Sequence, residues 1–141
     1  MKDKFFLDTN ILVYSFDDSQ PDKQKCSQEL IRVALEDGNG CISYQVIQEF
    51  LNVATRKFIV PISYKDSRIF LSTILEPLCE VYASIDLYHK ALELIERWKY
   101  RFYDALIIAA ALQNHCTVLY SEDLQDGQVI QELRIANPFK I

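Results

Sequence analysis

The chain lacks several features that mark whole classes of protein. It has only three glycines and no low-complexity tract, so we expect residues 1–141 to form a single compact, ordered domain. No stretch approaches the ~20 apolar residues that a membrane span requires. The apolar run near the start is too short for a signal peptide. We therefore expect a protein with no membrane association.

The cysteines and histidines lack the spacing of a metal or redox site. The chain has four cysteines: Cys26, Cys41, Cys79 and Cys116. They include no close pair and no Cys-x-x-Cys, which excludes zinc-finger and redox motifs. We expect reduced, mostly buried thiols and a cytoplasmic location. His89 and His115 show no His-x-x-x-His spacing, and we interpret both as structural or solvated.

The net charge of −5 does not suggest a basic nucleic-acid-binding protein. However, acidic residues that hold metal ions would account for part of this charge, because two divalent ions offset four negative charges. The net charge is therefore only mild evidence against a nucleic-acid substrate.

Short apolar runs alternate with longer amphipathic segments, which predicts β-α units around a parallel sheet. The predicted strands are residues 4–7, 41–43, 79–83 and 117–120, with a short edge strand at 134–136. The predicted helices are residues 10–16, about 22–36, 45–59, 64–75, 86–99 and 103–115. The last of these is apolar nearly all round, so we expect a central buried helix. The predicted fold is a three-layer α/β/α domain with a central, mostly parallel sheet.

Four acidic residues stand beside strand ends and helix starts: Asp8, Glu49, Asp104 and Asp123. Ligands of open parallel sheets bind beyond the carboxyl ends of the strands, so we expect all four side chains at that end. Their mutual repulsion would raise their pKa values unless a cation neutralises them, and Mg²⁺ or Mn²⁺ is the usual hard cation. The leading hypothesis is therefore metal-dependent phosphate chemistry.

Each of these residues also has an ordinary structural explanation. Asp8 can be a helix N-cap, and Glu49 can be an exposed helix residue. Asp123 can be a turn residue, and the nearby Asp126 competes for its proposed role. Asp104 is the hardest to explain in this way, because the residues after it are too apolar for an exposed helix face. The metal-site hypothesis depends on the four residues together.

Four motifs resemble those of the PIN-domain ribonuclease family, which includes VapC-like toxins and RNA-processing nucleases. They are Phe-Leu-Asp-Thr-Asn-Ile-Leu at 6–12, Gln-Glu-Phe at 48–50, Tyr-Asp-Ala-Leu-Ile-Ile-Ala-Ala-Ala at 103–111 and Leu-Tyr-Ser-Glu-Asp-Leu at 119–124. Their order and spacing agree with the family over essentially the full length. The resemblance implies a PIN-like domain whose metal-binding and catalytic set is Asp8, Glu49, Asp104 and Asp123.

The resemblance implies an Mg²⁺- or Mn²⁺-dependent endoribonuclease, the toxin of a type II, VapBC-like toxin–antitoxin system. An ion held by Asp8, Asp104 and Asp123 would lower the pKa of a bound water for in-line attack. Glu49 would ligate the ion through water, hold a second ion or act as a base. The sequence does not decide between one metal ion and two. Three small polar residues stand beside this set: Thr9, Ser121 and Asn10. For Thr9, helix capping is the alternative role. We expect Thr9 or Ser121 to orient a ligand or a water, and Asn10 to position the Asp8 carboxylate.

Basic and aromatic residues beside the acidic set are candidate RNA contacts: Arg56, Lys57, Arg101 and Tyr103. The resemblance also implies a small antitoxin that inserts a segment, with a basic residue, into the acidic cleft. It implies a homodimer as well, with Tyr14, Phe16 or Tyr64 as candidate interface residues.

Other functions remain as alternatives. A haloacid-dehalogenase-type phosphatase requires Asp-x-Asp after the first strand, and Asn10 stands at the second position. A PIN fold can also be a non-catalytic binding or assembly module, or an RNA-processing nuclease outside a toxin–antitoxin pair. The sequence names neither the RNA target nor the cut site.

Overall fold

The computed structural model describes residues 3–56 and 61–140. Its strands are β1 (Phe5–Leu7), β2 (Gly40–Ser43), β3 (Cys79–Val81), β4 (Val118–Tyr120), β5 (Val129–Ile130) and β6 (Leu133–Ala136). Its helices are α1 (Thr9–Tyr14), α2 (Pro21–Asp37), α3 (Tyr44–Arg56), α4 (Tyr64–Phe70), α5 (Glu76–Leu78), α6 (Ile85–Trp98) and α7 (Phe102–Gln113). A π-helical segment, Leu71–Leu75, joins α4 to α5.

The six strands form one sheet in the order β3-β2-β1-β4-β6-β5. Every pairing is parallel except that of β5 with β6. The chain moves outward from β1 to β3 and then returns to the other side of β1 with β4. Because parallel crossovers are right-handed, this reversal places α6 and α7 on the opposite sheet face from the preceding helices. The fold is the predicted three-layer α/β/α domain.

The centre of the sheet is closed to solvent on both faces. All three residues of β1 are buried, and so are all four of β2. Strands covered on both faces are expected to be continuously apolar, as Phe5–Leu7 is. The direction of the chain reverses between β1 and β4, and such a switch point is where ligands bind in open α/β sheets.

The predicted central helix is confirmed. In α7, seven consecutive residues from Ala105 to Ala111 are buried. Four of them are alanines, which allow neighbouring elements to approach closely on several sides of the helix. Asp104 directly precedes this buried stretch, so the position of its backbone is set by a helix anchored in the core.

The predicted edge strand is wrong in its position. Residues 134–136 belong to β6, which lies between β4 and β5, and β5 forms that edge of the sheet. Strand β5 was not predicted, because it has only two residues, too few to show a period. Its turn into β6 places Gln131 at a φ of 55°, which no local sequence signal marks.

Several predicted boundaries also shift. The strand predicted at 79–83 ends at Val81, because Ser84 caps α6 by accepting a hydrogen bond from the Leu87 N–H. The helix predicted at 64–75 continues through the π-helical segment to Leu78. The helix predicted at 45–59 is described as far as Arg56, and residues 57–59 lie outside the described part.

The cysteines agree with expectation, since all four are free and three of them are buried. In the part of the chain that the structure describes, no helix combines the length and the apolar character needed to cross a membrane.

Gly40 has a packing role that can be tested. A Cβ atom at this position would lie 2.7 Å from the Phe5 ring and would overlap the Cβ of Ala34. We expect Gly40→Ala to lower the free energy of unfolding by about 1–3 kcal/mol through overpacking. Urea denaturation of Gly40→Ala, Ala34→Gly and the double variant measures this cost.

The double variant is the control for the cause. Since Ala34→Gly removes one of the overlapping atoms, the double variant should lose less stability than the sum of the two single losses. If the stability losses of the two single variants simply add in the double variant, the loss in Gly40→Ala does not come from a clash with Ala34.

Candidate active site

All four predicted acidic residues line one cavity of about 190 Å³. Asp8 follows β1 directly, and Asp123 lies just beyond β4. Glu49 comes from the second turn of α3, and Asp104 from the first turn of α7. The cavity therefore lies at the carboxyl end of the central strands, at the switch point of the sheet.

Asp8 is both a helix cap and a cavity residue. Its Oδ1 accepts a hydrogen bond of 2.7 Å from the Thr9 N–H, which caps α1. Its own N–H donates to the Tyr120 carbonyl oxygen at 3.0 Å and extends the β1–β4 ladder by one residue. Asp8 therefore caps α1 and also lines the cavity, so its role as a cap does not exclude the predicted role as a metal ligand.

Three neutral side chains each donate to a different carboxylate. Ser121 Oγ donates to Asp8 Oδ2 at 2.8 Å, and Thr9 Oγ1 donates to Glu49 Oε1 at 2.7 Å. The Asn10 amide donates to Asp123. The expectation that Asn10 positions Asp8 is wrong, since the first turn of α1 brings its amide to the segment after β4.

The pKa of Asp8 is raised from 3.8 to about 6. The largest cause is burial, which disfavours the charged form, and the charges of Glu49 and Asp123 act in the same direction. The hydrogen bonds from Ser121 and from the Thr9 N–H oppose the shift because they stabilise the carboxylate. The cavity is thus short of positive charge around Asp8.

Asp104 has a raised pKa for similar reasons. Burial is the largest cause, the positive charge of Arg101 opposes it, and the charge of Asp123 adds to it. Asp123 thus interacts with the carboxylates of both Asp8 and Asp104 across the cavity.

Gln45 is a cavity residue that the sequence analysis missed. Its side chain is almost fully buried, and Nε2 donates to the Tyr103 carbonyl oxygen at 3.2 Å. Its Oε1 is buried without a hydrogen-bond partner, which costs free energy in the absence of a ligand. One signal was available: a polar residue one helical turn before Glu49, on the face of α3 that carries the buried Val46 and Phe50.

These residues match a hard divalent cation in donor type and charge. The cavity offers carboxylate oxygens, an unpaired amide oxygen and excess negative charge, which are the ligand properties that Mg²⁺ and Mn²⁺ prefer. Within residues 3–56 and 61–140, however, no three His, Cys, Asp or Glu side chains are grouped closely enough to hold a metal ion. The structure brings the four carboxylates to one cavity without forming a ligand cluster.

The remaining candidates lie at different distances from the cavity. Asp126 is outside it, because its Oδ1 accepts from the Asn137 N–H at 2.8 Å and its Oδ2 lies 3.8 Å from Lys140 Nζ. Asp123 therefore occupies the fourth acidic position in the cavity. Tyr103 lines the cavity and Arg101 is exposed just before α7.

Of the two basic candidates at the end of α3, the structure describes one. Arg56 is exposed at the last residue of the helix. Lys57 lies outside the described residues.

A second network missed from sequence holds the segment that carries Asp123. Glu122 accepts hydrogen bonds from the Tyr14 hydroxyl at 2.6 Å and from Lys23 Nζ at 2.5 Å. Lys23 Nζ also lies 4.7 Å from the centre of the Tyr14 ring. Tyr14, expected to be an exposed interface residue, is thus half-buried in this network.

Comparison with known proteins adds a family and several similar folds. The model of the PIN domain family matches residues 5–125, and no curated protein matches the chain in sequence. A toxin–antitoxin complex from Klebsiella pneumoniae is similar with a TM-score of 0.72 and 19% identity, over 98% of this chain and 100% of that one.

Two further solved structures share the fold. DNA-bound VapBC from Salmonella typhimurium has a TM-score of 0.63 and 20% identity, over 97% of this chain and 99% of that one. VapC20 of Mycobacterium tuberculosis, a toxin that cleaves the sarcin-ricin loop, has a TM-score of 0.59 and 21% identity, over 85% and 90%. At these identities the likeness shows the fold.

The raised pKa of Asp8 predicts a pH-dependent effect on stability. The folded state binds the Asp8 proton more tightly than the unfolded chain does, so ionisation destabilises the fold above about pH 6 and not below pH 4. In EDTA at pH 8 we expect Asp8→Asn to raise the free energy of unfolding by roughly 2 kcal/mol. Below about pH 4 the two proteins should be equally stable.

Urea denaturation between pH 4 and pH 8 measures this difference, with Asp126→Asn as the matched variant outside the cavity. A stability difference that does not change with pH would refute the assignment to Asp8 ionisation.

Proposed function

The chain belongs to the PIN domain family, and we propose that it is a divalent-metal-dependent endoribonuclease, the toxin of a type II toxin–antitoxin pair. One observation above all supports this: four carboxylates from four separate elements line a single cavity at the switch point of the sheet. Such a concentration of negative charge is unfavourable to folding unless a cation is bound, which is typical of a functional site.

The residues proposed to hold the ion are Asp8, Asp104 and Asp123, with Glu49 at the same cavity. When bound, Mg²⁺ or Mn²⁺ activates water and neutralises charge that develops on a phosphate. The neutral donors keep the carboxylates oriented: Ser121 fixes Asp8, Thr9 fixes Glu49 and Asn10 fixes Asp123. Hydrogen bonds of this kind orient metal-binding carboxylates before the ion binds.

Glu49 is proposed as the general base. Thr9 Oγ1 donates to Oε1 of Glu49 at 2.7 Å, which restrains that oxygen, while Oε2 takes no part in the bond. A carboxylate restrained on one side can accept the proton of the attacking water on the other. The alternative roles of Glu49 are as a ligand through water and as a ligand of a second ion.

RNA is the proposed substrate because of the family, and an exposed cation near the cavity supports it. Arg101 lies directly before α7, and its positive charge acts on Asp104. Such a group attracts the phosphates of an incoming strand. Arg56, Lys57 and Tyr103 complete the proposed contacts, and the substrate would be met in the cytoplasm.

The proposed partner is a small antitoxin. The Klebsiella pneumoniae neighbour is a toxin–antitoxin complex, and the Salmonella typhimurium neighbour is a DNA-bound VapBC complex. A basic side chain from a partner would be attracted to the uncompensated carboxylates here. A homodimer is also proposed, with Phe16 and Tyr64, 39% and 74% exposed, as interface candidates.

A second candidate is a non-catalytic binding or assembly module. It is favoured by the absence of a close ligand cluster among the described residues. An RNA-processing nuclease outside a toxin–antitoxin pair would use the same cavity and differ only in its partner.

The experiment that tests the proposal is cleavage of a mixed RNA pool with Mg²⁺, Mn²⁺ or EDTA. Loss of a residue that only contacts a metal ligand typically costs about 10–100-fold in activity. Asp104→Asn and Asp8→Asn change proposed ligands themselves, so we expect them to lower the cleavage rate by on the order of 100-fold or more. Asp126→Asn, outside the cavity, should cleave like the wild type.

The outcomes separate the candidates. Cleavage that is abolished by EDTA and by both cavity substitutions supports the nuclease. Equal cleavage by all variants would reveal a contaminating enzyme. Absence of cleavage by a folded protein that still binds Mn²⁺ would favour the binding module.

A further inference from the structure

A second depression adjoins the acidic cavity and has no role in the proposed chemistry. It has a volume of about 420 Å³ and is lined by Tyr44, Gln48, Tyr88, Phe102, Tyr103 and Leu106. We call it the aromatic groove. Tyr103 lines both the groove and the acidic cavity, so the two spaces are contiguous.

Two aromatic rings of the groove are open to solvent. Phe102 is 40% exposed and Tyr103 is 65% exposed, although both begin the most buried helix of the fold. Their rings stand nearly perpendicular, at 79° with centroids 5.2 Å apart. An exposed ring that is supported by an edge-to-face neighbour offers one flat apolar face on which a planar group can stack.

The groove also has polar groups beside the rings. The hydroxyls of Tyr44 and Tyr88 lie 3.3 Å apart, which joins the first turn of α3 to α6. Gln48 adds an exposed amide immediately before Glu49. Stacking surfaces combined with hydrogen-bonding groups match a heteroaromatic ring better than an aliphatic side chain.

The charges around the groove favour a nucleotide as the source of that ring. Arg101 is exposed directly before Phe102, so a cation stands next to the stacking surface. The same arginine is close enough to Asp104 for its charge to oppose the rise that burial causes in the pKa of that carboxyl, so it lies near the cavity in which the proposed function puts a phosphate. A nucleotide carries a planar base and phosphates on a single sugar, which matches an aromatic groove beside a cation and the acidic cavity.

We propose that the aromatic groove is a nucleobase subsite, which stacks the base of a nucleotide adjacent to the scissile phosphate. The inference rests on the proposed function and narrows its substrate to unpaired RNA. A base within a duplex is already stacked and paired, so it reaches such a groove only after it is extruded. The subsite therefore selects loops and single strands.

The test is a binding titration in EDTA, which needs no cleavage. The probe is a short single-stranded RNA with one 2-aminopurine, whose fluorescence is quenched when it stacks on an aromatic ring. We expect quenching by the wild type and about tenfold weaker binding by Phe102→Ala, since one stacked base is worth ~1–3 kcal/mol. Phe102→Leu, which keeps apolar volume at the site, should also bind more weakly.

The matched control is Tyr82→Ala. Tyr82 is 62% exposed and lies outside the groove, so its removal should leave the affinity unchanged. The duplex form of the probe should bind weakly to every variant. With an abasic residue in place of 2-aminopurine, measured by competition, Phe102→Ala and the wild type should bind equally.

Two results would overturn the inference. One is equal affinity of Phe102→Ala, Phe102→Leu and Tyr82→Ala for the probe. The other is a change of oligomeric state in Phe102→Ala, seen by light scattering, with unchanged quenching, which would make the groove an interface between copies. Phe102-dependent quenching by a protein that does not cleave RNA would support the subsite while refuting the nuclease, so the two failures are distinguishable.

Discussion

The burial of the Asp8 carboxylate among other carboxylates is the constraint on which the site depends. Asp8 continues the β1–β4 ladder, so its position is set by the backbone of the central sheet rather than by a mobile loop. Burial and the charges of Glu49 and Asp123 raise its pKa to about 6. The folded chain thus holds an electrostatic strain at the carboxyl end of the sheet, which a cation or a protonated neighbour relieves.

The fold compensates for this strain locally. Three of the four carboxylates each accept a hydrogen bond from a different neutral side chain: Ser121, Thr9 or Asn10. Thr9 and Asn10 come directly after Asp8 in the chain, and Ser121 comes directly after β4. The Tyr14–Glu122–Lys23 network then holds the segment after β4 against the first two helices. The Asp8 carboxylate therefore accepts both a local capping bond, from the Thr9 N–H, and a long-range bond, from Ser121.

In the proposed function, the acidic cavity and the aromatic groove recognise different parts of a nucleotide. The cavity has the oxygen ligands and negative charge that suit a metal-bound phosphate, and the groove has the rings that suit a base. Tyr103 belongs to both, and its carbonyl oxygen accepts the bond from the buried Gln45. Gln45 thereby links the helix of Glu49 to the helix of Asp104. The net charge of −5 is compatible with the proposal, because the proposed attraction to RNA depends on local groups such as Arg101 and not on the charge of the whole chain.

The sequence by itself determined the architecture and the four acidic positions. Buried strands and the apolar α7 have local patterns that are visible in a few consecutive residues, and each acidic residue stands at the end of such a pattern. Tertiary structure decided which atoms meet: Asn10 bonds Asp123 rather than Asp8, Asp123 rather than Asp126 enters the cavity, and α3, α6 and α7 together form the groove. It also decided the order of β6 and the two-residue β5. These features depend on contacts between residues far apart in the chain, such as the 113 positions between Asn10 and Asp123, and local periodicity carries no information about them.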